Sequence, residues 1–287
     1  MTIIDFHTHI FPPDLISTRG EYAVRDRWFR LLYSNSRARM ASAEDLVRSM
    51  DAAGVDRAVA FGFAFADQGL CRWCNSYVLD AARRYPDRLI PFAVLNPGAP
   101  GAEDEALRVL GTGAYGIGEL MPDAGEYALT DWGALDPVMD IARQAGVPVL
   151  IHVNEQLGHV YEGKGGHGPD QAYRLAQHYP NNTLIFAHWG GGLPFYELMP
   201  EVRQSLRRVY YDTAASLYLY DDAVFRHVLS WAADKVLWAT DYPLISQKRF
   251  VQRVAGLALA PDLLAKLMGD NAAGLLRRAA DSAEKGM

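Results

Sequence analysis

The stretch Val147-Pro148-Val149-Leu150-Ile151-His152-Val153 decides the architecture. It is apolar without alternation until His152, the pattern of a strand covered on both faces. Gly146 just before it suits a helix stop. Asp136-Pro137 reads as a cap followed by proline at the first helical position. A helix thus feeds a buried strand, and the strand ends on a polar residue. Working outward, runs of the same kind cover residues 3–9, 57–63, 89–95, 115–120, 183–188, 209–213 and 236–240. Helical patterns lie between them. Ser42 with Asp45 resembles a capping box, Gly54 suits a left-handed stop, and Asp270 reads as the cap of the last helix. Strands alternating with helices indicate a parallel sheet.

Eight such units in 287 residues point to one closed (β/α)8 TIM barrel spanning residues 1–287, with a frayed tail from about residue 281. An open doubly wound sheet is the competing fold, but no GxGxxG turn follows any strand. Two connections are unusually long, residues 10–41 and 154–169. In a barrel, loops after strands lie on the catalytic face, so both are expected to be lids.

The net charge of −6 leaves no electrostatic footprint for nucleic acid. No apolar run approaches the ~20 residues that span a bilayer. The N-terminal stretch does not read as a signal peptide, so the cytoplasm is the expected location. Cys71 and Cys74 form a lone CxxC, read as two small residues on a helix. The expected partner is a small-molecule substrate. Homo-oligomerisation is left open.

Polar residues fall at strand ends: His7 and His9 on the first, Glu119 on the fourth, His152 on the fifth, His188 on the sixth and Asp241 just past the eighth. Each should open onto one end of the barrel. His7 and His9, two apart, face the same side of a strand. Idle buried imidazoles are costly, and binding a metal removes that cost. Imidazole with carboxylate is a zinc-type set that also tolerates iron or manganese, so the expected cofactor is a divalent cation, Zn2+ first. His159 and Lys164 in the second long loop, and Trp189 and Tyr242 beside the donors, are candidate substrate contacts. Arg19, Arg25 and Arg27 in the first long loop could hold a carboxylate.

Ile4-Asp5-Phe6-His7-Thr8-His9 resembles the opening strand of the amidohydrolase superfamily. Ile151-His152, Ala187-His188-Trp189-Gly190-Gly191, Ala239-Thr240-Asp241-Tyr242-Pro243 and Asp270-Asn271-Ala272-Ala273 resemble later motifs of its branch called amidohydrolase family 2. The resemblance implies that His7, His9, His152 and Asp241 bind metal and that His188 carries protons. Gly118-Glu119-Leu120 resembles a strand-four motif whose Glu is a ligand in other branches of the superfamily. The resulting expectation is a hydrolase of a small amide, ester or lactone, using metal-activated water with Asp241 as base and His188 as proton donor or carbonyl polariser. The alternative is a decarboxylase or hydratase of a small carboxylic acid. A third reading is an inactive barrel serving as a binding subunit.

Overall fold

A computed structural model describes residues 1–285. Among them, eight parallel strands pair in sequential order: β1 (Ile4–His9), β2 (Arg57–Phe61), β3 (Leu89–Ala93), β4 (Gly116–Leu120), β5 (Val149–Ile151), β6 (Leu184–Phe186), β7 (Val209–Asp212) and β8 (Val236–Leu237). Backbone bonds close the ring between β1 and the segment after β8. The Phe6 N–H donates to the Trp238 carbonyl at 2.9 Å, the His9 N–H to the Tyr242 carbonyl at 2.7 Å, and the Asp241 N–H to the His7 carbonyl at 3.0 Å. The barrel expected from the sequence is the one observed.

Alternation sorts the apolar residues. Val59, Ile90, Leu150, Ile185 and Leu237 come from five different strands yet share one cluster, which only the barrel interior allows. Ala58 and Ala60, their strand neighbours, pack instead with Leu46, Met50 and Val78 of the surrounding helices. Several strands stop short of their apolar runs. The residues beyond the ladder turn to build the catalytic end, and His188 (φ 56°) and Asp241 (φ 63°) do so in the left-handed region. That conformation costs a non-glycine residue roughly 1–2 kcal/mol and is seen where a site demands it.

Ser42 and Asp45 form the expected capping box, and Gly54 is the left-handed stop of Ala43–Ala53. Two expected helix starts are corrected. The helix before β5 is Trp132–Ala145, so Pro137 lies inside it. Asp131 caps it earlier by accepting from the Ala134 N–H. Asp270 does not start a helix: it ends a π-helical segment, Lys266–Asp270, that joins Pro261–Ala265 to Asn271–Lys285. Asn271 ties that junction to the barrel, donating to the carbonyls of Ala233 and Val236. The expected fraying from about residue 281 falls partly on Gly286 and Met287, which lie outside the described residues; the backbone is helical through Lys285. Cys71 and Cys74 are free thiols buried on the helix Gln68–Arg84. Among the described residues no helix is long and apolar enough to cross a membrane.

Candidate metal centre

The six donors meet at the C-terminal end of the strands. β4 reaches them through Gly118, whose φ is +123° and where a Cβ would lie 2.2 Å from the Leu150 carbonyl oxygen. Only glycine allows β4 and β5 to approach so closely. It delivers Glu119, 5% exposed, into the pocket. Asp5 sets the other side. Its Oδ1 accepts from the Thr240 N–H at 2.9 Å, and its Oδ2 from Thr240 Oγ1 at 2.6 Å and Gln247 Nε2 at 2.8 Å. The chain entering Asp241 is thereby fixed to β1. Burial pushes Asp5 up to about 6 despite these bonds.

The Glu119 carboxylate divides the donors into two sets. His7 Nε2 lies 3.3 Å from His9 Nε2, 3.6 Å from Glu119 Oε2 and 3.7 Å from Asp241 Oδ1. His9 Nε2 lies 3.8 Å from Glu119 Oε2 and 3.4 Å from Asp241 Oδ1. Ligands about 2.0–2.2 Å from a tetrahedral ion stand about 3.3–3.6 Å apart, close to the 3.3, 3.4 and 3.7 Å that separate His7 Nε2, His9 Nε2 and Asp241 Oδ1, with Glu119 Oε2 at the edge of that set. Glu119 Oε1 faces the second set, 2.9 Å from His152 Nδ1 and 3.7 Å from His188 Nε2. The expectation that one ion would gather His7, His9, His152 and Asp241 is thus modified: the structure groups His7, His9 and Asp241 together, and His152 with Glu119 and His188.

The charges agree with a cation site. Burial alone would lower His7, but Glu119 and Asp212 outweigh it and raise His7 to about 10. Against the same burial, a Glu119 hydrogen bond and Asp241 bring His188 to about 9. Burial would raise Glu119, yet His7 and His152 hold it well below the usual carboxylate range. Asp241 is lowered against burial by His9 and His7. Buried carboxylates here draw in protons, and a divalent cation would answer the same charge.

A cavity of about 750 Å³ opens above the donors. His9, Glu119, His152, His188 and Asp241 form its floor. Leu32, Tyr33, Phe63, Met121, Leu219 and Leu244 supply apolar wall, and His159 and Tyr161 come from the second long loop. Both long loops therefore cover the mouth as expected, and a Cβ on Gly163 would lie 2.4 Å from Leu32 Cδ2, where the two meet.

Among the candidate substrate contacts, His159 lines this cavity. Three others are corrected. Lys164 turns back into its own loop, donating to the carbonyls of Leu157 and His159 and lying 3.7 Å from Glu155 Oε1. Trp189 is fully buried, and its indole N–H donates to Ser216 Oγ at 2.7 Å. Tyr242 packs against the cluster of the surrounding helices that includes Leu46 and Met50 and is not part of the cavity lining. The first-loop arginines are elsewhere: Arg19 donates to the Ala38 carbonyl, Arg25 pairs with Asp67, and Arg27 is not part of the lining. Arg37, Arg39 and Arg249 line the cavity instead, and among the described residues none of the three is paired with a carboxylate.

Sequence reasoning also missed Asp212 and Asn154. Asp212 ends β7 as Glu119 nears the end of β4, so its strand-end position was the available signal. Its Oδ2 lies 2.8 Å from His7 Nδ1, and its Oδ1 accepts the His188 N–H at 2.9 Å.

The amidohydrolase family model matches residues 4–278, and the chain belongs to that family. A comparison with curated proteins finds no match. Solved structures are similar over almost the whole chain. One is 5-carboxyvanillate decarboxylase from Novosphingobium aromaticivorans with manganese and 4-hydroxy-3-methoxy-5-nitrobenzoic acid, at TM-score 0.78 and 18% identity, covering 96% of each chain. A second is 2,6-dihydroxybenzoate decarboxylase from Rhizobium, at TM-score 0.65 and 18% identity, covering 96% of this chain and 99% of that one. A third is an uncharacterised TIM-barrel protein from Bordetella bronchiseptica, at TM-score 0.72 and 22% identity, covering 98% and 100%.

Proposed function

We propose that the protein is a divalent-metal-dependent lyase that removes carbon dioxide from a small aromatic or unsaturated carboxylic acid. The observation that carries this reading is the company of Arg37, Arg39 and Arg249, unpaired with any carboxylate among the described residues, in a largely apolar cavity above the donors. Guanidinium forks suit carboxylate, and apolar walls suit a flat ring. The decarboxylases that share the fold support the same choice.

His7, His9 and Asp241 would hold the cation, with Glu119 Oε2 next to His7 and His9 and the group of Glu119, His152 and His188 adjoining it. A bound cation would act as a Lewis acid toward a substrate oxygen. Manganese and zinc both suit this nitrogen and oxygen set. The arginines and Tyr33 orient the acid, and the lids exclude water. The bond to the carboxyl carbon breaks, its electron pair stays on the ring or chain carbon, and a proton replaces the departing carbon dioxide. His188, 7% exposed at its side chain and inside the cavity, is placed to deliver that proton.

Hydrolysis of an ester, lactone or amide is the second reading. Glu119 and Asp241 favour it, since carboxylates beside a cation suit deprotonating water. Assays of aromatic and unsaturated acids beside ester, lactone and amide panels decide between them. Carbon dioxide release from an acid supports the lyase. Turnover confined to the hydrolytic panel overturns it.

A further inference from the structure

The first lid inverts the charge of the protein. Residues 19–39 hold six arginines, Arg19, Arg25, Arg27, Arg30, Arg37 and Arg39, against two carboxylates, Glu21 and Asp26, in a chain whose formal charge is −6. The array is held in place. Arg19 donates to the Ala38 carbonyl at 3.0 Å, tying the start of the segment to its end. Asp26, 3% exposed, accepts from the Phe29 N–H at 2.8 Å and the Ala66 N–H at 2.9 Å, which fixes the helix Arg27–Tyr33 to the loop after β2.

That helix has two sides. Leu32 and Tyr33 line the cavity. Arg27 and Arg30, three residues apart and so neighbours on the helix surface, are exposed and outside the lining. Arg25 is answered by Asp67 at 3.2 Å. Among the described residues Arg27 and Arg30 have no carboxylate partner, and neither have Arg37, Arg39 and Arg249 in the lining. Apart from Glu119 and Asp241, the lining holds one carboxylate, Glu162. An anion in solution is repelled by the chain as a whole. Screening confines each charge to about 8–10 Å at ordinary ionic strength, so the charges beside the mouth outweigh the distant acidic ones. Cations around a cleft with low-dielectric walls focus its field and raise the capture rate of an anion.

We propose that Arg27 and Arg30 are capture residues: without touching the bound molecule, they draw a small organic anion to the mouth, where Arg37, Arg39 and Arg249 take it over. They favour anions over neutral molecules of the same shape, and they act on kcat/KM rather than on kcat. The identity of the anion as a substrate rests on the lyase reading; the field of the lid does not.

The field is tested first, without turnover. Trp28 adjoins Arg27 in the chain, and its emission is isolated as the difference between wild type and Trp28→Phe of matched melting. Quenching by iodide and by caesium is measured at equal ionic strength, normalised to neutral acrylamide and compared with free tryptophan amide. The iodide-to-caesium ratio is expected to exceed that of the free amide about 3-fold or more. It should collapse in about 1 M salt, where the Debye length is about 3 Å. It should also collapse in Arg27→Gln/Arg30→Gln, read as the same difference. A ratio equal to that of the free amide, or one unchanged in the double variant, overturns the proposal. The second test is turnover of 2,6-dihydroxybenzoate and 5-carboxyvanillate. For an acid that reacts, kcat/KM is expected to fall about 10-fold between about 0.01 and 1 M salt while kcat holds. The double variant should keep its metal and kcat and lose most of the salt dependence. The same salt dependence in both proteins overturns the capture role. Turnover of neither acid counts against the lyase reading, and the quenching result then decides the field of the lid by itself.

Discussion

His7 Nδ1 lies 2.8 Å from Asp212 Oδ2, and both side chains are fully sealed from solvent. The pair sets which nitrogen of His7 remains for a cation. Asp212 Oδ1 is occupied by the backbone N–H groups of His188 and Ala214, at 2.9 and 3.0 Å. In Asp212→Asn the amide oxygen must stay with those donors, which points its NH2 at His7. His7 would then carry its proton on Nε2, where the ligand lone pair is needed. Metal affinity is expected to fall about 10- to 100-fold with the fold retained. Competition against a chelator measures it; unchanged affinity would separate Asp212 from the centre.

Removing the cation should destabilise the protein. A ligand at 100 times its Kd adds about 2.7 kcal/mol. Chelator is therefore expected to lower Tm, and Mn2+ or Zn2+ to restore it. The restoring effect should weaken as pH falls, because imidazole and carboxylate ligands must shed protons to bind. Calorimetry with and without chelator checks this, and His7→Ala should abolish the difference.

Substitution of Arg37, Arg39 or Arg249 by Gln should leave metal content and Tm unchanged. Charge-assisted hydrogen bonds contribute about 1.5–3 kcal/mol, so kcat/KM for an acid substrate is expected to drop about 10- to 100-fold at the arginine that contacts the carboxylate. If none of the three affects turnover of an acid, the carboxylate-binding role is lost.

Asp123 clasps the second lid, accepting from the Gly166 N–H at 3.1 Å and lying 3.0 Å from His167 Nδ1. Burial would raise this carboxyl, but His167 and Gly166 lower it below its ordinary value. A lowered folded value means the stabilisation is complete above the ordinary Asp range near 3.9 and is lost as pH falls through the folded value. Hydrogen exchange in residues 154–168 is therefore expected to accelerate in acid beyond the intrinsic rate. In Asp123→Asn it should already be fast at neutral pH. Equal protection in the variant would remove Asp123 as the clasp.

The architecture was legible because each strand is buried on both faces and reads as an unbroken apolar run. The donors were legible because strand ends in a barrel share one destination. Two kinds of feature escaped. Asp212 and Asn154 act on other side chains rather than on a ligand, and nothing in their local sequence distinguishes them from ordinary strand-end polar residues. The arginines were sought at positions 19, 25 and 27, but the short helices Arg19–Arg25 and Arg27–Tyr33 turn those residues away, and Arg37 and Arg39 beyond them come back over the cavity. Helix starts near Pro137 and Asp270 were misplaced because another local cap, Asp131, begins the first helix earlier, and the second continues without a break from a π-helical segment.

The second lid is pinned at both ends. Asn154 holds Gly165 and His167, Asp123 holds Gly166, and a Cβ on Gly191 would lie 2.3 Å from the Asn154 carbonyl oxygen. Between the pins, residues 155–164 carry His159 and Tyr161 over the cavity without supplying a donor to the floor. The segment is therefore an exchangeable cassette. Its length and side chains can drift through descent, or be replaced by grafting, and alter which molecules are admitted while the machinery beneath is inherited unchanged.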